Sequence, residues 1–112
     1  MKSRIKALSL FANVGIAEAY LEEVGIDVVV ANEIDPRRVK FYQHVYPNVD
    51  MIQGDITLEG TKNQIVEKSI AQGVDLVIAT PPCQGMSTAG KMQEWDARNT
   101  LICHAIEVVK KI

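Results

Sequence analysis

The chain has 112 residues, 47% of them apolar and only 5% aromatic, with a formal net charge of −2. That length supports one domain, or a piece of one, around a mainly aliphatic core. The slightly acidic balance gives no electrostatic reason to favour a nucleic-acid or membrane surface, and no apolar run approaches membrane-spanning length.

Residues 5–11 read as a first strand, and Ala12, Asn13, Val14 and Gly15 turn the chain. The spacing of Ile16, Ala17, Tyr20, Leu21 and Val24 predicts a helix over 16–24, with Glu18, Glu22 and Glu23 facing solvent. Gly25 is placed to end it. Residues 26–31 are rich enough in β-branched side chains to form a second strand buried on both faces. Asp35 followed by Pro36 reads as an N-cap with proline at the first helical position. The helix that follows carries Val39, Tyr42, Gln43 and Tyr46 and stops before Pro47. Residues 49–53 form a short third strand, ending at Gly54, Asp55 and Ile56. A third helix covers about 59–71, with Ile65, Val66 and Ile70 inward. Residues 74–79 form a fourth strand. A last helix from about Arg98 to Ile112 presents Leu101, Ile102, Ala105, Ile106 and Val109 for packing.

Strict alternation of strand and helix with short loops implies a parallel α/β sheet with right-handed crossovers. The expected strand order is 3-2-1-4, a partial doubly wound, Rossmann-like sheet with helices on both faces. Its switch point lies between strands 1 and 4, and ligands in such sheets bind outside the carboxyl ends of the strands there. The first turn and the loop after strand 4 therefore surround one pocket.

That loop reads Thr80, Pro81, Pro82, Cys83, Gln84, Gly85, Met86, Ser87. Two prolines stiffen the backbone ahead of Cys83, and the glycines and small residues beyond it read as a loop. A rigidly presented thiol suits a cysteine nucleophile; a small apolar cap on a strand is the plainer role. Position beside the pocket moves Cys83 towards the first. Cys83 and Cys103 are the only cysteines, neither at metal-type spacing, and His44 and His104 stand apart. A reduced, cytoplasmic protein without a structural metal is the expectation. Trp95 reads equally well as a lid residue or as packing.

On the cofactor side, Glu33 lies 18 residues after Gly15, at the end of the second strand. An acidic residue there normally accepts hydrogen bonds from ribose hydroxyls. The first turn holds a single glycine, which disfavours a dinucleotide, because pyrophosphate needs close backbone approach. A nucleoside without phosphate is better tolerated. S-adenosylmethionine fits, with its ribose on Glu33, adenine near Asp55 and Ile34, and the methionine part over residues 11–16. Cap and turn roles for Glu33 and Asp55 are the plainer alternative; their place at consecutive strand ends favours the site.

Taken in order, Leu10-Phe11-Ala12-Asn13-Val14-Gly15, Asn32-Glu33-Ile34-Asp35, Gly54-Asp55-Ile56, Pro82-Cys83-Gln84-Gly85-Met86-Ser87, Gly90-Lys91 and Asp96-Ala97-Arg98-Asn99-Thr100-Leu101 resemble the N-terminal part of the DNA (cytosine-5) methyltransferases. The resemblance covers nearly the whole chain. It implies that the Cys83 thiolate attacks carbon 6 of a cytosine flipped out of double-stranded DNA, so that carbon 5 can accept a methyl group from S-adenosylmethionine. It also implies cofactor-pocket roles for Phe11, Gly15, Glu33, Ile34, Asp55, Ile56, Pro82 and Leu101, with Ala12, Asn13 and Ile16 in the same turn. Gln84, Ser87 and Lys91 match the loop that closes on DNA, although Lys91 also reads as an ordinary solvated lysine.

Asn13 and Ile16 stand where the family usually has glycine. Asn tolerates left-handed backbone, whereas Ile16 adds bulk beside the methionine subsite. Ile34 offers less stacking area than the larger residue common there. The family's Glu-Asn-Val segment, its Gln-x-Arg-x-Arg segment and its target recognition domain have no counterpart in residues 1–112. The expectation is therefore the N-terminal part of a catalytic domain: a fragment, a truncated product or one subunit of a split enzyme. A complementary C-terminal polypeptide or self-association would complete its half-sheet. A non-catalytic, cofactor-binding remnant is the second reading. An amino-methylating enzyme is the third, and Cys83-Gln84 argues against it.

Overall fold

The computed structural model describes residues 4–82 and 100–112. Four strands, β1 (Ile5–Leu10), β2 (Ile26–Glu33), β3 (Asp50–Gln53) and β4 (Leu76–Ala79), form one parallel sheet in the order β3-β2-β1-β4. Three helices connect or follow them: α1 (Pro36–Val45), α2 (Glu59–Gln72) and α3 (Thr100–Lys111). The expected order 3-2-1-4 is the observed one.

Alternation along β1 and β2 divides the core. Leu8, Leu10 and Val30 join Ile52, Ile56, Ile65, Ala105 and Val108 in the larger cluster, which α2 and α3 cover. On the other face the small residues Ala12 and Ala31 leave room for Tyr42 of α1, which is fully buried. Asp35 caps α1 as the sequence implies, its side chain accepting from Arg37 N–H at 2.8 Å with Pro36 at the first helical position. The second strand runs two residues further than expected, to Glu33, because β3 pairs with Val30 through Glu33.

Residues 16–24 depart from expectation. They form no α-helix. Successive backbone bonds run from Glu18 to Gly15, Leu21 to Glu18 and Val24 to Leu21, each spanning three residues, and a 3-10 turn closes over Glu22–Val24. Three residues per turn instead of 3.6 changes which side chains face inward. Glu18, expected in solvent, is 6% exposed, while Ile16 and Tyr20, expected inside, are 79% and 75% exposed. Gly25 does end the segment, in the left-handed conformation and with its N–H on Glu22 O.

Helix α2 keeps its expected limits, and α3 its expected end, to within one residue, but both rotate what they bury. In α2 the inward row is Lys62, Ile65 and Ser69, with Val66 packed beside it, and Ile70 is exposed. Lys62 is tolerated there because its ammonium reaches Glu107 of α3 at 2.6 Å. In α3, Ala105 and Val108 enter the core, and Leu101 packs against it. Ile106 and Val109 are about half exposed and line an apolar groove beside β4.

Candidate functional site

A cleft of about 470 Å³ opens at the carboxyl ends of all four strands, within the size range of small-ligand sites. Phe11, Asn13, Glu33, Ile34, Asp55, Ile56, Pro82 and Leu101 line it. It lies at the switch point because β2 and β4 both pair with β1, so the loops after β1 and β4 leave the sheet in opposite senses.

The turn after β1 carries the most constrained backbone. Phe11 and Asn13 both sit at φ 56°, and Gly15 at φ 84°. Asn13 thus adopts the left-handed geometry that a glycine would otherwise supply. The strain is offset by bonds to neighbouring elements: Ala12 N–H donates to Asn32 O at 3.1 Å, and Thr80 Oγ1 donates to Phe11 O at 3.2 Å.

Glu33 ties the turn to the next strand end. It is buried, and its two carboxylate oxygens accept separately, from Asn13 N–H at 2.8 Å and from Asp35 N–H at 2.9 Å. Each oxygen keeps a second lone pair for a ligand hydroxyl. Asp55 accepts from Thr57 N–H at 2.9 Å and from Thr57 Oγ1 at 2.8 Å, both on Oδ1. Those bonds hold its carboxyl below the usual range, and Oδ2 keeps its accepting capacity. The cleft therefore offers two carboxylates at adjacent strand ends above an apolar floor.

Three site residues from the sequence stand elsewhere. Ala12 is buried in the smaller core cluster, Gly15 packs against the rings of Tyr42 and Tyr46, and Ile16 projects outward. Ile16 therefore does not fill the cleft. Cys83, Gln84, Ser87 and Lys91 lie outside the described residues; Pro82, immediately before Cys83, is at the cleft wall.

Asn32, Arg38, Gly54 and Thr80 also line the cleft; at the level of sequence Asn32, Gly54 and Thr80 stand only within the motifs, without a site role, and Arg38 is passed over. Asn32 Nδ2 donates to Ile52 O at 2.8 Å and Gly54 O at 3.1 Å, which fixes the turn that carries Asp55. A polar residue at the end of an otherwise apolar strand was the available signal. Arg38 lies in the first turn of α1 and pairs with Asp35 at 3.9 Å. Among the described residues, no group of His, Cys, Asp and Glu could hold a metal ion, and no helix is long and apolar enough to cross a membrane.

Residues 5–112 match the family model described as C-5 cytosine-specific DNA methylase. The Type II methyltransferase M1.HgaI of Avibacterium volantium is 44% identical over 117 aligned residues, covering 100% of this chain and 33% of that protein. The Type II methyltransferase M.HpaII of Haemophilus parainfluenzae is 31% identical, covering 99% of this chain and 29% of its own length. Among solved structures, an E. coli prophage-encoded protein described as a DNA modification methyltransferase superposes with a TM-score of 0.72 at 27% identity, over 96% of this chain and 29% of that one. The chain thus spans about a third of the length of the relatives it matches.

Proposed function

Since this chain belongs to the C-5 cytosine-specific DNA methylase family, we propose that residues 1–112 are the N-terminal, cofactor-binding and nucleophile-bearing part of a DNA cytosine-5 methyltransferase. The complete enzyme would act in the cytoplasm on double-stranded DNA, methylating carbon 5 of cytosine. The observation that carries the reading is the cleft at the switch point, with Glu33 and Asp55 at adjacent strand ends.

The donor set fits an adenosine-type ligand without phosphate. Glu33 would accept from the ribose hydroxyls with the lone pairs that Asn13 and Asp35 leave open. Asp55 would accept from the exocyclic amine of adenine, and Phe11, Ile34, Ile56 and Leu101 would supply apolar surface for the ring. The turn of Ala12, Asn13, Gly15 and Ile16 shapes the path of the methionine part, with Ile16 turned away from it. Bound there, S-adenosylmethionine would supply an electrophilic methyl group on a sulfonium.

Cys83 is the proposed nucleophile. Its thiolate adds to carbon 6 of the flipped cytosine, and the electron pair of the 5,6 double bond makes carbon 5 nucleophilic. After methylation, loss of the carbon 5 proton and elimination of the thiolate restore the aromatic base. Gln84, Ser87 and Lys91 would close over the DNA.

The groups that hold and read the base would come from further polypeptide. Such a partner, or a second copy, would dock on the apolar groove of about 290 Å³ beside β4, lined by Val77, Ala79, Ile102, Ile106 and Val109. Among the described residues β4 pairs with β1 alone, and an unpaired strand edge is a template for strand addition.

DNA containing 5-fluorocytosine blocks the final proton loss and traps the covalent intermediate. With S-adenosylmethionine, residues 1–112 alone should give no adduct, and adding the C-terminal two-thirds of a relative should give one that Cys83→Ser abolishes. No adduct in either condition would sink the enzymatic reading. Calorimetric binding of S-adenosylhomocysteine without any adduct would leave the cofactor-binding remnant.

A further inference from the structure

The first turn is gripped from behind as well as from the cleft. Tyr46, the C-terminal cap residue of α1, donates its hydroxyl to Gly15 O at 2.6 Å. The rings of Tyr42 and Tyr46 lie 4.9 Å apart, tilted at 44°. Both press on Gly15 so closely that a Cβ there would overlap the Tyr46 ring. Three residues on, Glu18 turns its carboxyl beneath the same turn, where Oε1 accepts from Ser9 Oγ at 3.3 Å. Glu18 Oε2 and the Tyr42 hydroxyl are both buried, and neither completes a hydrogen bond of good geometry. No Lys, Arg or His among the described residues bonds this carboxyl.

The arrangement answers a question the sequence raises: how a turn with one glycine holds three left-handed residues, Phe11, Asn13 and Gly15. Such backbone persists only where its surroundings over-determine it. We propose that Glu18, Tyr42 and Tyr46 form a clamp that presets the first turn and, through the Asn13 N–H bond to Glu33, positions Glu33 for a ligand's ribose diol. The three are positioning residues. The proposal rests on the reading of the cleft as an adenosine site.

The clamp has a preferred protonation state. Burial pushes the Glu18 carboxyl up, and burial together with Glu18 pushes the Tyr42 phenol up. The groups facing Glu18 are Ser9 from β1, Tyr42 from α1 and Tyr46 at its C-terminal cap. Glu22 and Asp27 line the cavity on the same side, Asp27 being paired with Arg4 at 2.6 Å. None of these neutralises Glu18, so ionising it loosens the clamp.

The test uses the whole chain with Tyr46→Phe, Tyr42→Phe and Glu18→Gln, each checked for folding by circular dichroism. Without ligand, Tyr46→Phe should speed amide exchange at Asn13 and Glu18 roughly tenfold, the scale of one hydrogen bond, while exchange in the β1–β2 pairing stays unchanged. S-adenosylhomocysteine affinity, by calorimetry, should fall about five- to tenfold. Wild-type affinity should decline as pH rises, and Glu18→Gln, which cannot ionise, should flatten that profile. Unchanged exchange in both tyrosine variants would overturn the clamp, and an unchanged pH profile would remove Glu18 from it. Faster local exchange in a chain that never binds S-adenosylhomocysteine would instead refute the adenosine site while leaving the clamp intact.

Discussion

At the carboxyl ends of β1, β2 and β3, polar atoms find partners within the chain itself. Glu33 takes two backbone amides, Asn32 takes two carbonyls, and Asp55 takes both donors of Thr57. Along β4 and α3 the opposite holds. Ile106 and Val109 leave about half their surface outside, and β4, at the end of the strand order, has no fully buried residue. A polar network must be complete to be stable, because each unpaired buried group costs about 1–3 kcal/mol. An apolar surface carries no such requirement and can wait for a partner. The first region is preorganised for a small ligand; the second is suited to docking polypeptide.

Removing a buried support should expose that contrast most sharply. Tyr42→Ala should cost roughly 3–5 kcal/mol by urea denaturation, since a fully buried aromatic is lost from the smaller cluster. Glu33→Gln should cost about 1–3 kcal/mol, because one of two backbone amides loses its acceptor. It should also weaken S-adenosylhomocysteine binding in calorimetry by more than tenfold. Equal stability in Glu33→Gln would mean the strand ends are not the interlocked region described above.

A pH series separates the regions further. The Glu18 carboxyl is raised from its ordinary 4.5, so its contribution to stability is complete below that value and fades as pH rises through the raised one. Asp35 and Asp55 are depressed, so theirs is complete above the ordinary carboxylate range and fades as pH falls through the lowered values. Melting temperature across pH should therefore show Glu18→Gln gaining on wild type as pH rises past the ordinary carboxylate value of 4.5 and not below it. The smallest effect belongs to the flank. Ile106→Ser with Val109→Ser should change stability by less than about 1 kcal/mol, as half-exposed sites do, yet reduce self-association in light scattering. A strictly monomeric parent would break the docking assignment.

Much of the site was legible because it sits where strands end. Glu33, Ile34, Asp55, Ile56 and Pro82 each follow a short apolar run, and a parallel sheet gathers such positions on one rim. Arg38 was not legible, since nothing local distinguishes a cleft-lining side chain in a helix's first turn from a solvated one. Lys62 was harder still, its burial depending on Glu107, 45 residues away.

The sequence by itself determined the four strands, the helices α1, α2 and α3, the Asp35 cap and the strand order, because hydrophobic period and short loops leave few parallel topologies. Tertiary structure alone decided residues 16–24. Their apolar spacing suits a helix of 3.6 residues per turn, but the bonds around Gly15 wind the segment at three. Tyr42, Tyr46 and Ser9 then claim Gly15 and Glu18 for the interior. Packing against distant residues outweighed a local period, since burying Glu18 beneath the turn and exposing Ile16 is favourable only in the presence of those side chains.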